Sequence, residues 1–262
     1  MAYINVENVV NNVKYFLTII MLSLLVACGS APIDDNKPVV YEPSAAVETS
    51  TLIYIPKLKV DSKGQLVAYK AETNPYLRRQ GSVRGDSVEA FIQAKRAFKA
   101  NNLDQAQLIL EELTASNKRL SGPWVMLGDV ILQRNELDED TLNTAEQHYS
   151  KAILINKYNV NAYLRLAKVK RMQGDFSKAK STYADVLALW KDFPEAHLNL
   201  GILYDIYLND DVKAQKHIEA YQFLTEGENT EVAQWLLEIQ GRTGMATELN
   251  VQKQNIPNKP IS

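Results

Sequence analysis

From about residue 86 onward the chain carries apolar residues at helical spacing, interrupted by short polar turns. Phe91, Ala94, Ala97 and Phe98 recur three and four residues apart, the stripe of a helix that buries one face. Asp86, followed three residues later by Glu89, has capping-box spacing and predicts the start of that helix. Asn101-Asn102 breaks it, and a second helix starting at Asn102 or Asp104 carries Ala106, Ile109, Leu110 and Leu113. Helix, tight turn, helix then repeats down the chain. Val232, Trp235, Leu236 and Ile239 stand at i, i+3, i+4 and i+7. They predict one more amphipathic helix from about Thr230 to Arg242, with Gly244 just beyond it.

The repeat has a measurable period. Small residues of the first helices, Ala94, Gly128, Ala167 and Gly201, stand 34, 39 and 34 residues apart. The second-helix alanines Ala106, Ala145, Ala179 and Ala214 follow them by 12, 17, 12 and 13 residues. The second repeat therefore carries five extra residues, placed at the acidic turn Asp138-Glu139-Asp140, and the fourth carries one, placed near Asp210-Asp211. Leu110, Tyr149, Tyr183 and Ile218 lie four residues after those alanines, and Leu113, Ala152, Val186 and Tyr221 lie seven after. Leu127, Leu166 and Leu200 precede the first-helix small residues, with Gln93 as the exception; Trp124, Tyr163 and His197 stand three residues earlier, with Ala90 in repeat one. Small residues let two helices approach closely and the large ones fill the gaps. Each pair then buries its apolar face mainly on its neighbours.

This arrangement resembles the tetratricopeptide repeat (TPR), with its large–Leu–small first helix, its Ala–aromatic–Ala second helix and turns such as Gly174-Asp175-Phe176. The proline that such repeats place after the second helix is missing except near Pro194. The resemblance implies an all-α right-handed superhelix of about four repeats over 87–225, with a capping helix over 226–244. A disordered tail, with Pro257 and Pro260, is expected over 245–262.

In such superhelices the first helices line a groove for a peptide or partner helix. The implied groove positions are Phe91, Lys95 and Phe98; Val125, Asp129 and Leu132; Leu164, Arg165, Lys168 and Arg171; and Leu198, Asn199, Ile202 and Asp205. Repeat three is then basic and suits an acidic group on the ligand. Arg165 and Asn199 match only single elements of the clamp by which some TPR domains grip a C-terminal carboxylate, so a chaperone-tail receptor is not supported.

The first 86 residues read differently. Leu52-Ile53-Tyr54-Ile55 and Leu66-Val67-Ala68-Tyr69 flank the turn-like Asp61-Ser62-Lys63-Gly64, a pattern compatible with a short β-hairpin. Gly29 to Ala46, with Pro32, Pro38 and Pro43, reads as an extended tether. Ahead of it, Phe16 to Ala27 is an apolar run preceded by Lys14 and ending at the only cysteine, Cys28. At about a dozen residues the run is short of the roughly 20 that cross a membrane as a helix. Leu25-Val26-Ala27-Cys28-Gly29 resembles the lipobox of bacterial lipoproteins, although the segment before the run is long and carries Glu7. An ordinary anchor or secretory signal is the competing reading. The resemblance implies a signal peptide over 1–27, lipid on Cys28 and a lipidated flexible tether over 28–86. Gly29, rather than aspartate, after the cysteine favours outer-membrane delivery in a Gram-negative host.

Composition narrows the function. With 29 basic and 31 acidic residues and a formal charge of −2, there is no electrostatic footprint for nucleic acid. The three histidines, His148, His197 and His217, form no metal-ligand spacing, and His197 occupies a position where a bulky core residue is expected. No phosphate loop or nucleophile elbow is present, so neither cofactor nor catalysis is expected. The layout is similar to TPR lipoproteins that serve pilus secretin assembly, peptidoglycan-enzyme recruitment or outer-membrane transport. The expectation is a non-enzymatic scaffold that binds envelope proteins or peptides. The alternative is a regulatory subunit that binds a small ligand or glycan.

Overall fold

The computed structural model describes residues 39–44, 56, 59–67, 69–78, 83–134 and 136–247. The apolar run, Cys28, the Leu52–Ile55 stretch and positions 248–262 lie outside them. A two-stranded antiparallel ladder, β1 (Lys59–Val60) and β2 (Leu66–Val67), comes first. The helices follow: α1 (Pro75–Arg78), α2 (Gly85–Lys99), α3 (Leu103–Ser116), α4 (Ser121–Arg134), α5 (Glu139–Ile155), α6 (Val160–Met172), α7 (Phe176–Leu189), α8 (Pro194–Ile202), α9 (Asp211–Leu224) and α10 (Thr230–Thr243). The hairpin turns at Asp61–Gly64, where the Asp61 carboxylate accepts from the amides of Lys63 and Gln65 and Gly64 holds φ 75°. A turn fixes register for the residues beside it, so Lys59 pairs with Val67 and Val60 with Leu66.

Helix pairs α2–α3, α4–α5, α6–α7 and α8–α9 are the four repeats, each packed on the next, with α10 closing the array on α9. The small residues act as expected. A Cβ built on Gly128 would lie 2.5 Å from the Tyr149 ring, and one on Gly201 would lie 2.5 Å from Ile218 Cδ1. The turns also share a chemistry. Asn101, Gly174 and Asn209 take the left-handed conformation, and each is followed by an Asx cap. Asn102, Asp175 and Asp210 accept from the amides of Gln105, Lys178 and Lys213. Asn229 caps α10 in the same way through Val232.

Three boundaries differ from the sequence reading. Helix α2 starts at Gly85 behind Arg84, so Asp86 is not its cap. The Asp86 carboxylate instead pairs with Arg84 at 2.5 Å in the first turn, where the helix dipole favours a negative charge. The acidic insertion of repeat two is largely helix. Asp138 caps α5 through Thr141, Glu139 and Asp140 occupy its first turn, and Ala145 is its seventh residue, where Ala106 and Ala179 are fourth in theirs. The single extra residue of repeat four is not in the Asp210-Asp211 turn. Asn209 precedes Ala214 by five residues, as Gly174 precedes Ala179, but follows Gly201 by eight where Gly174 follows Ala167 by seven. The surplus sits in a π turn over Leu203–Tyr207, marked by the Leu208 amide donating to the Leu203 carbonyl.

Part of the expected tether is held on the repeats. Tyr41 stacks edge-on against Tyr163 and donates its hydroxyl to the buried Asp185, which also accepts from the Ser44 amide; the Tyr41 amide donates to Ser150 Oγ. Farther along, Tyr69 packs on Phe223 and donates to the buried Asp192, which also accepts from the Glu72 amide. Trp190 Nε1 donates to the Glu72 carbonyl. Met245–Thr247, placed in the tail by the sequence, also pack. Gln215 donates to the Met245 carbonyl, Gln240 donates to Thr247 Oγ1, and Thr247 is buried.

Candidate functional site

First helix α6 touches α4 on one side and α8 on the other, so their outward residues share one face of the stack. A cavity of about 540 Å³ opens there, lined by Phe98, Asp129, Leu132, Gln133, Tyr149, Leu164, Arg165, Lys168, Glu195 and Asn199. Side chains from all four repeats meet in it. Phe98, Leu132 and Leu164 supply the apolar wall, one from each of the first three.

Half of the predicted groove residues are brought together there. The others lie elsewhere. Val125 is buried in the main core. Phe91 and Leu198 pack partly buried against the two cores, Ile202 is partly buried, and Lys95 is exposed. Asp205 is engaged by the capping helix: it accepts from Trp235 Nε1 at 2.8 Å and pairs with Arg242. Arg171 donates to the Tyr207 hydroxyl at 2.9 Å and lies over its ring. The π turn is what presents Tyr207 and Asp205 for those contacts.

An ion pair across two repeats lines the cavity. Arg165 Nε sits 2.6 and 2.9 Å from the two Asp129 oxygens, and Tyr149 donates its hydroxyl to the same carboxylate at 2.8 Å. Burial, followed by the Asp129 charge, pushes the Tyr149 phenol far above its ordinary range, so it stays a donor. Repeat three is therefore much less basic than its sequence suggests. Lys168 is exposed and forms no ion pair with any described residue, and Glu195 lines the same cavity. Gln133, Tyr149 and Glu195 were not anticipated. Tyr149 reaches the cavity because Gly128 leaves room beside the first helix, a signal carried by the small–aromatic pairing itself.

Two of the three histidines are packed into the core. His197 and His217 are fully buried with their Nδ1 atoms 3.0 Å apart, and His197 Nε2 is 2.8 Å from the Lys191 carbonyl. A carbonyl only accepts, so His197 carries its proton on Nε2 and His217 donates from Nδ1. His148 lies partly buried beside Trp124. Among the described residues no group of three or more His, Cys, Asp or Glu side chains is placed to hold a metal ion.

No protein-family model matches the chain, and no curated protein does either. Solved structures do match. The chain is similar to TTC0263, a thermophilic TPR protein of Thermus thermophilus, at 19% identity and TM-score 0.51, over 59% of this chain and 81% of that one. It is similar to pilF of Pseudomonas aeruginosa at 14% identity and TM-score 0.52, over 68% and 78%. MamA of Desulfovibrio magneticus RS-1 matches at 15% identity and TM-score 0.50, over 67% and 95%. With the helix pairs, their shared turns and the small–large contacts, these likenesses establish that the chain has the tetratricopeptide-repeat fold.

Proposed function

We propose that the protein is a non-enzymatic scaffold of the bacterial cell envelope, lipid-anchored through Cys28, facing the periplasm from the outer membrane and holding a protein partner in the groove. The observation that carries the binding role is the cavity on the first-helix face, walled by Phe98, Leu132 and Leu164 from three successive repeats. Such a wall suits the apolar side chains of a helical or extended segment. Since Asp129 neutralises Arg165 and Arg171 is engaged by Tyr207, the wall and not a basic clamp supplies the recognition. The anchor rests on the lipobox-like run at Cys28.

Affinity capture from envelope extracts with the mature protein tests the groove. Leu164→Glu abolishes capture of the partner, whereas Lys168→Ala leaves it within about twofold. Equal capture by the Leu164 variant refutes the groove. A second reading, binding of a small ligand or glycan, draws on the cavity volume, which falls within the roughly 300–1,000 Å³ of small-molecule sites. It predicts that a small-molecule fraction of the same extract, free of protein, raises the thermal midpoint of the wild type and not of the Leu164 variant. Membrane fractionation tests the anchor: Cys28→Ser moves the protein to the soluble fraction with its helical signal unchanged.

A further inference from the structure

The two stretches that hold the N-terminal chain on the repeats are built alike. In each, a tyrosine hydroxyl and the backbone amide three residues later converge on one buried aspartate: Tyr41 and Ser44 on Asp185, Tyr69 and Glu72 on Asp192. In each, the tyrosine ring also packs edge-on against an aromatic of the repeats, Tyr163 or Phe223. In each, an acidic residue of the strap meets a lysine of the repeats: Glu42 with Lys178 at 3.4 Å, Glu72 with Lys191 at 3.0 Å. Asp185 is 8% exposed and Asp192 is 2% exposed, so both carboxylates depend on these donors for partners. A segment that only drifted past the surface would not bring a phenol, an amide, a ring contact and a counter-charge to the same place twice.

The position of the first clamp has a mechanical consequence. Counted to Asp86, the chain leaving Cys28 is 58 residues long. Counted to Tyr41 it is 13 residues, which reach about 45 Å when fully extended. We propose that the Tyr41–Asp185 clamp is the point at which the anchor is coupled to the repeats, so that the repeat array is held on a short leash beside the lipid surface. The proposal rests on the anchor reading given above. The clamp ties the strap to α5 through Ser150, to α6 through Tyr163 and to α7 through Asp185, so tension on the anchor is passed to repeats two and three directly. If the clamp opens, the next tyrosine–aspartate clamp among the described residues is at Tyr69, 41 residues from Cys28, with the buried Pro56 between the two. With the β1–β2 hairpin of residues 59–67 folded back on itself, the remaining 32 residues have an extended limit of about 110 Å, more than double that of the first clamp.

The test uses the full lipidated protein on vesicles, with a donor dye on Ala188→Cys, an exposed position one turn from Asp185. Energy transfer to acceptor-labelled lipid headgroups is measured for the parent and for two variants. Tyr41→Ala with Asp185→Asn opens the first clamp and is expected to cut the transfer efficiency by about half. Asp192→Asn weakens only the second clamp and is expected to leave it unchanged. Circular dichroism confirms that each variant keeps the parental helix content. Exchange of the backbone amides at positions 41 and 44 confirms that the first double variant has released the strap. If the parent does not stay on the vesicles, the anchor reading fails and the leash with it. If it stays and the strap is released without loss of transfer, the leash fails while the anchor stands. A loss of transfer for Asp192→Asn as large as for the first double variant also overturns the proposal, because it moves the coupling point downstream.

Discussion

His197 and His217 show how one buried contact sets a solution property. Burial pushes His197 down to about 4, and it holds His217 well below its ordinary value, with its neighbour's charge adding to the effect. An unfolded histidine takes up its proton near pH 6.5. As pH falls from about 6.5, the unfolded chain therefore binds protons that the folded chain refuses, and stability drops until the folded His197 titrates near 4. The separation corresponds to roughly 3 kcal/mol for His197. Urea midpoints measured between pH 7 and pH 5 are expected to fall steadily, and midpoints flat across that range would contradict the neutral pair. Gly201 gives a second test at this scale. Gly201→Ala sets a Cβ 2.5 Å from Ile218 Cδ1 and is expected to cost about 1–3 kcal/mol despite the better helix propensity of alanine. Ile218→Ala removes both that Cδ1 and Cγ1, the latter 2.8 Å from the same position, so in that background Gly201→Ala should cost much less in chemical denaturation, and strict additivity would argue against the contact.

At the scale of elements, the helices were legible and their irregularities were not. Spacing alone gave the helix pairs, the start of α3 at Asn102 or Asp104 and the stripe of α10, because a 3.6-residue period and a helix boundary are local properties. The count of 13 residues between Gly201 and Ala214 revealed a surplus residue but not its address, since a longer turn and a π turn give the same count. Its place follows from contacts distant in sequence: Trp235 and Arg242 hold Asp205, and Arg171 and Phe176 hold Tyr207. The groove was half legible for the same reason. Seven of the fourteen expected groove residues line the cavity on the first-helix face, but the pairing of Arg165 with Asp129 36 residues away is invisible to a local reading. If the surplus residue is accommodated only by the π turn, deleting exposed Ile206 should return the helix to α geometry and shift the midpoint little. Deleting buried Tyr204 should destabilise the fold severely. Equal losses in thermal melts would show that the turn is not the accommodating element.

For the whole molecule, a stack has no single core, and its stability should be graded along its length. The buried apolar residues fall into two clusters. The larger runs through repeats two, three and four into α10, from Val125 to Ile239. The smaller joins repeat one to α4 through Ala94, Ala106, Leu110, Met126, Leu127 and Val130, with Trp124 touching both. Two further ties favour the middle. Lys170 and Glu146 form a buried ion pair at 2.6 Å between repeats three and two, with Gln173 donating to the same carboxylate. Both strap clamps close on residues from repeats two to four. Repeat one therefore has fewer buried partners per helix, and its outer face is α2, where Val88 and Ile92 remain exposed. Local opening should begin there. Hydrogen exchange in low urea is expected to release amides of α2 and α3 well before those of α6, α7 and α8, and Lys170→Met, which strands the Glu146 charge, should narrow that gap by loosening the middle. Exchange that is uniform from α2 to α9 would mean that Trp124 couples the two clusters into one cooperative unit, and the graded picture would have to be abandoned.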